Sequence, residues 1–227
     1  MEKAVIVAAR RTAIGRFQGG LASLSASKLG AEVVKDLIAQ TKIDPSEVDE
    51  VIMGNVLQAG LGQNPARQAA IWGGVPTDKA AFTVNKVCGS GMKSIMLAAQ
   101  SIMLGDADVI IAGGMENMAA APYLLFKART GYRLGHGQVV DAMVHDGLLD
   151  VYNDYHMGNT GELVADKYKV SREAQDEYAY GSHQKALAAI ERGDFKDEII
   201  PVSVPQRKKD PIVIDTDDGP RAQTTLE

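Results

Sequence analysis

A chain of 227 residues, 45% of them hydrophobic, can hold one large domain or two small ones and is too apolar for a disordered segment. Its net charge of −5 comes from interspersed acidic and basic residues with no basic stripe, which argues against a nucleic-acid partner. The single cysteine excludes an internal disulfide and any multi-cysteine metal site, so no metal is expected.

The chain opens on Ala4 to Ala9, a run of small and β-branched residues that reads as a strand buried on both faces. The run is too short for a signal peptide and Arg10-Arg11 follow it. Ser25 or Ser27 caps a helix carrying Leu29, Val33, Leu37 and Ile38 on one face. Asp44-Pro45 closes it, and Val48 to Met53 is the next strand. Asn64-Pro65, a cap followed by a first-turn proline, starts a short helix that Gly73-Gly74 ends. Phe82, Val84 and Val87 read as a buried strand. Met92, Ile95, Met96, Ala99, Ile102 and Met103 recur at helical spacing, and Val109 to Ala112 is a further strand. Near-continuous apolar strands alternating with helices argue an α/β layered sheet.

The alternation stops after Met118. Lys127 to Gly137 is glycine-punctuated and basic, and by composition reads as a solvated loop. A helix is expected from Val139 to Leu148, and a long one from the Ser171 cap through Ile190, stopped by Gly193. Glu198 to Val204 reads as a strand, and the tail from Pro205 to Glu227 shows little sign of a core. The most apolar region, Ile95 to Gly114, is interrupted by Gln100, Asp106 and Asp108, so no membrane span is expected. A reducing cytoplasm is the expected setting.

The pointed stretch is Ala80 to Gly105. Cys88-Gly89-Ser90-Gly91 makes a small-residue turn from strand to helix, which places Cys88 at or next to a helix N-terminus. Orphan backbone N–H groups and the positive end of the macrodipole favour an anion there, and the thiolate is the form that attacks carbonyl carbon. The dipole supplies only roughly 0.3–1 kcal/mol, so a working nucleophile also wants a base within reach. A lone cysteine beginning a core helix is equally compatible with an inert, buried thiol.

The segment NKVCGSGMKS, followed by GDADVIIAGGMENM from Gly105 to Met118, resembles the nucleophile region of the thiolase family. VIVAARRTAIGRFQGGL near the start, GNVLQAGLGQNPARQAA from Gly54 to Ala70, and YHMG from Tyr155 to Gly158 agree, so the similarity runs along essentially the whole chain. The resemblance implies a thiolase-type layered α/β fold in truncated form. Residues 1–118 would be the N-terminal α/β domain without its last strand. Residues 119–227 would be an incomplete loop domain, with an oligomerisation loop at 123–137, and the C-terminal domain would be absent. It further implies an acyl-CoA acyltransferase that condenses two acetyl-CoA to acetoacetyl-CoA and coenzyme A through an acyl-cysteine intermediate, with no cofactor beyond its substrate. A homo-oligomer is implied, with a second chain as a source of the missing half.

By the same resemblance Cys88 is the nucleophile, and its backbone N–H can donate half of an oxyanion hole. His156 and Met157 are pocket candidates, the histidine favouring acetoacetyl-CoA over long-chain 3-ketoacyl-CoA. Leu148 matches an apolar pocket residue and Arg221 a position near the coenzyme. The activating histidine, the second cysteine and the asparagine of the oxyanion hole belong to the absent domain. Gly161-Glu162-Leu163 departs from the family's usual Ala-Glu-Asn. Three alternatives stand beside this reading: a non-catalytic binding or assembly module, a 3-ketoacyl-CoA thiolase of broader chain length, and a dinucleotide-binding oxidoreductase. The last is prompted by Gly89-Ser90-Gly91, but Ser94 stands where its fingerprint needs a third glycine.

Overall fold

The computed structural model describes residues 3–226; Met1, Glu2 and Glu227, the outermost residues of the two expected domains, lie outside the described residues. In chain order the elements begin with β1 (Arg11–Thr12), α1 (Ala26–Thr41), β2 (Glu50–Gly54), α2 (Pro65–Trp72), β3 (Ala80–Val84), α3 (Ser90–Leu104) and β4 (Ile110–Gly114). They continue with β5 (Tyr123–Leu124), β6 (Val140–Asp141), β7 (Leu149–Asp150), β8 (Tyr155–His156), α4 (Met157–Tyr168), α5 (Arg172–Arg192), β9 (Ile199–Ile200), β10 (Val202–Gln206) and β11 (Lys209–Ile214).

The centre is a parallel three-stranded sheet in the order β3-β2-β4. Val51 and Met53 of β2 cluster with Ala26 and Val34 of α1 and Ala66, Ala69 and Ala70 of α2. Ile52 and Gly54, on the alternate face, look towards α3. With helices on both faces, β2 is buried throughout its apolar run, which is why it reads as a continuous hydrophobic stretch. Each such side chain contributes roughly 1.5–3 kcal/mol by leaving water.

The helix ends follow their sequence signals. Ser25 Oγ accepts from the Lys28 N–H, and Lys42 closes α1 in the left-handed conformation. Asn64 Oδ1 accepts from the Arg67 N–H ahead of Pro65. Ser171 caps α5, and Gly193 at φ +77° stops it. In α3 the packed residues are Ser90, Ser94 and Ala98, four apart, rather than the methionine and isoleucine positions. A ridge of small side chains lets the helix lie close on the sheet, leaving Met92, Ile95, Met96 and Leu104 exposed. By length and composition Val87–Leu104 also reaches the size of a membrane span, but it holds this helix, packed against β2 and β4.

Three expectations are corrected. Ala4 to Ala9 forms no strand: pairing begins at Arg11, and Val5, Ile6 and Val7 are exposed, because no neighbouring strand among the described residues takes up their backbone groups. Val139 to Leu148 is divided between β6 and a short π-helix, Met143–Leu148, since the backbone of β6 is used in antiparallel pairing with β5. The strand expected from Glu198 to Val204 is interrupted, and the tail after it adds β11, whose Ile214 packs half-buried on the cluster around Val202 and Val204 while no described residue of the tail is buried. Pro201 splits the expected strand into β9, parallel to β1, and β10, which pairs antiparallel with β11. Val202 and Val204 point inward with Ile200 against Leu21 and Leu29, while Ser203 between them is exposed.

Candidate active site

The carboxyl ends of the three parallel strands lie in register at Val84, Gly54 and Gly114. In open α/β sheets this is the edge where ligands bind. The segment leaving β3 carries Cys88, whose thiol is exposed. The turn around it is closely bonded. Asn85 Oδ1 accepts from the Val87 N–H at 2.9 Å, and the Lys86 N–H donates to Ser90 Oγ at 2.8 Å. The Gly89 N–H donates to Lys86 O at 3.1 Å and the Ser90 N–H to Val87 O at 3.0 Å. Closing the chain this tightly puts Val87 at φ +48°, the left-handed region, which costs a β-branched residue about 1–2 kcal/mol.

Helix α3 starts immediately. Its N-cap, Gly89, offers no side chain to the first turn, and the Lys93 N–H donates to Gly89 O at 2.9 Å. The N–H groups just before Lys93 therefore have no intrahelical acceptor, and this uncapped end sits beside Cys88. Glycine makes the placement possible. A Cβ on Gly54 would lie 2.5 Å from the Ser90 carbonyl carbon and 2.6 Å from the Gly91 nitrogen. One on Gly114 would lie 3.1 Å from Gly91 Cα. Only bare backbone at these strand ends lets the helix start come down on the sheet.

The facing wall is polar and tied through Asn55 Nδ2 and Glu116, while Asn55 Oδ1 is buried with no hydrogen-bond partner. Asn55, 1% exposed, donates through Nδ2 to Met115 O at 3.0 Å and to Glu116 Oε1 at 2.9 Å. Glu116 Oε2 also accepts from the Val56 N–H at 2.8 Å. The carboxylate thereby joins the loop after β2 to the loop after β4.

Between these walls is an open cavity of about 370 Å³. Val87, Cys88, Ser90 and Gly91 form one side, and Asn55 to Leu57 with Met115, Glu116 and Met118 the other. Gly147 and Leu148, at the end of the π-helix, complete it. Cys88 and Leu148, 60 positions apart in the chain, thus share one cavity. His156, Met157 and Arg221 are not among its lining residues. The exposed His156 is the N-cap of α4, where Nδ1 accepts from the Gly158 N–H at 3.0 Å; Met157 opens that helix. Arg221 is exposed, and its backbone N–H donates to His183 Nδ1 at 3.3 Å. His145 sits in the π-helix with its ring 5.4 Å from that of Phe126.

Asn55, Glu116 and the glycines at 54 and 114 did not stand out as site residues in the sequence. Their signal was positional: each falls at or just after the carboxyl end of a strand in the parallel sheet, within segments already marked by resemblance.

The profile of the thiolase N-terminal domain matches residues 4–227. An acetyl-CoA acetyltransferase of Pseudomonas aeruginosa is 59% identical over all 227 residues, and one of Cupriavidus necator is 55% identical over the same length. The chain spans 58% of the length of each. A crystal structure of the Bacillus anthracis acetyl-CoA acetyltransferase superposes on the whole chain with a TM-score of 0.96 at 40% identity, the chain covering 57% of it. Sequence profile, relatives and backbone agree along the same stretch, and the chain belongs to the thiolase family.

Proposed function

We propose that the protein is an acyl-CoA acyltransferase of the acetoacetyl-CoA-forming type, and that Cys88 receives the acyl group. The observation that carries this reading is an exposed thiol at an uncapped helix N-terminus, opening into a cavity large enough for a thioester end. The sulfur of Cys88 attacks the thioester carbonyl carbon, the carbon–sulfur bond to coenzyme A breaks, and the departing thiolate takes a proton. Acyl-Cys88 remains. Attack on it by the deprotonated methyl carbon of a second acetyl-CoA forms acetoacetyl-CoA and returns the Cys88 thiolate. The Cys88 N–H and the N–H groups of Gly91 and Met92 in the first turn of α3 are the donors that this chain offers to the oxyanion. Leu148 and Met118 give the acyl end apolar contact in the same cavity.

The names of the relatives support acetyl-CoA as the substrate. The setting we propose is cytoplasmic. Assembly into oligomers is proposed through residues 123–137, a loop that β5 and β6 pin at its ends and that exposes Leu125, Phe126, Tyr132 and Leu134. Light scattering on the chain with Leu134→Ser and Phe126→Ser changes tests it: dissociation supports the assembly role, and an unchanged mass removes it.

The test of the chemistry is intact mass after incubation with acetyl-CoA, beside a Cys88→Ala control. One acetyl adduct on the unchanged chain alone supports the reading. A folded chain that takes no acetyl group from acetyl-CoA counts against it and favours a binding or assembly role.

A further inference from the structure

The Ser90 hydroxyl bonds to the backbone on both sides of the Lys86–Val87 peptide. Oγ accepts from the Lys86 N–H at 2.8 Å and donates to Val87 O at 2.5 Å. Together they span ψ of Lys86 and both dihedrals of Val87, whose φ of +48° is the one left-handed value among the non-glycine residues at the cavity. Left alone, a valine leaves that region, because its branched Cβ meets the neighbouring carbonyl oxygen. Ser90 itself has little freedom to follow. It is 4% exposed, and its Cβ lies where a side chain on Gly54 would sit, only 2.7 Å from a Cβ built there. Water has little access to replace its hydroxyl.

We propose that Ser90 is the positioning residue of the nucleophile: its hydroxyl holds Val87 left-handed, and that backbone setting presents the Cys88 sulfur at the start of α3 and into the cavity. The inference deepens the reading of Cys88 as nucleophile and rests on it for its purpose, though not for its measurement. Without the hydroxyl, Val87 relaxes, the turn reorients, and the sulfur leaves the helix terminus.

The experiment compares alkylation of Cys88 by iodoacetamide, followed by intact mass, in the unchanged chain, in Ser90→Ala, and in Ser90→Ala/Val87→Gly. Ser90→Ala is expected to slow alkylation by about three- to tenfold, the size of one or two lost hydrogen bonds. The added Val87→Gly is expected to recover most of that loss, because glycine takes positive φ without steric penalty. A general packing role for Ser90 predicts no such recovery. A folded Ser90→Ala chain that alkylates at the original rate overturns the proposal, and so does a double variant as slow as the single one. If Ser90→Ala gives no cooperative thermal melt, the double variant is read by its melt: recovery supports the proposal and continued unfolding overturns it. Acetyl-CoA incubations run in parallel separate the two readings. Alkylation that follows this pattern without any acetylation removes the acyltransferase reading and leaves the role of Ser90 standing.

Discussion

Arg11 and Asp217, 206 positions apart, meet in a bidentate pair, with Nη1–Oδ1 at 2.7 Å and Nη2–Oδ2 at 3.0 Å. Around it, Arg11 Nε donates to Glu198 at 2.7 Å, the guanidinium lies 5.2 Å from the Phe195 ring, and Asp217 Oδ1 accepts from the Ile14 N–H at 2.8 Å. One cluster therefore ties the start of the chain to the segment beyond β11. The guanidinium, and after it the Ile14 N–H, holds the Asp217 carboxyl below its ordinary value. Arg11 is raised in turn, chiefly by Asp217.

Asp217→Asn is expected to cost about 1–2 kcal/mol at neutral pH, since the pair is charge-assisted but partly open to solvent. The sign of its pH dependence follows from the lowered native value. Above the unfolded carboxylate value of ~3.9 the contribution is fully present, and it is lost as pH falls from there through the native value. Urea melts at pH 7 and at pH 3 check this: the difference between the unchanged chain and Asp217→Asn shrinks at the lower pH. An equal difference at both would remove the pair as its source.

Gly54→Ala tests the close approach that seats the cysteine turn. The new Cβ meets backbone atoms of Ser90 and Gly91, which cannot swing aside as a flexible side chain could. A loss of about 1–3 kcal/mol is expected, with slower alkylation of Cys88. Unchanged stability in urea would mean that α3 shifts freely on the sheet.

Gly161→Ala and Gly181→Ala are expected to act in the opposite direction. Both glycines are inside helices, α4 and α5, and a Cβ at either meets nothing within 4 Å. Each change is expected to stabilise by about 0.4–1 kcal/mol, mainly by restricting the unfolded chain. Thermal melts of the two single variants and the pair check the sign and the additivity.

Glu116→Gln keeps the size of the side chain and removes one of its acceptor oxygens. The carboxylate receives Asn55 Nδ2 and the Val56 N–H, so one of these donors loses its partner. The expected cost is about 1–3 kcal/mol, and Glu116→Asp, which keeps the charge but withdraws it, is expected to recover only part. Equal stability for all three chains in denaturant would show that the clamp between the loops after β2 and β4 is dispensable.

Much of the site was legible locally. Cys88 sits in a small-residue turn, and Asn64, Ser171 and Gly193 carry their capping roles in their own chemistry, because those signals act over a few residues. The continuous apolar run of β2 declared a strand covered on both sides for the same reason. Tertiary structure decided what local pattern cannot express. It set which face of α3 packs, choosing the small residues at 90, 94 and 98 because closeness to the sheet outweighs side-chain size. It also left Val5 to Val7 unpaired, since a strand exists only through a neighbour, and packed Val202 and Val204 of β10 against Leu21 and Leu29 from the other end of the chain. The cavity belongs to this second kind. Cys88, Leu148, Asn55 and Glu116 come from four separate segments, and only parallel pairing in register brings three of them to one edge of the sheet. Sequence determined the cysteine turn and the elements that carry it; packing determined what faces it, because contacts between distant segments depend on how the layers close.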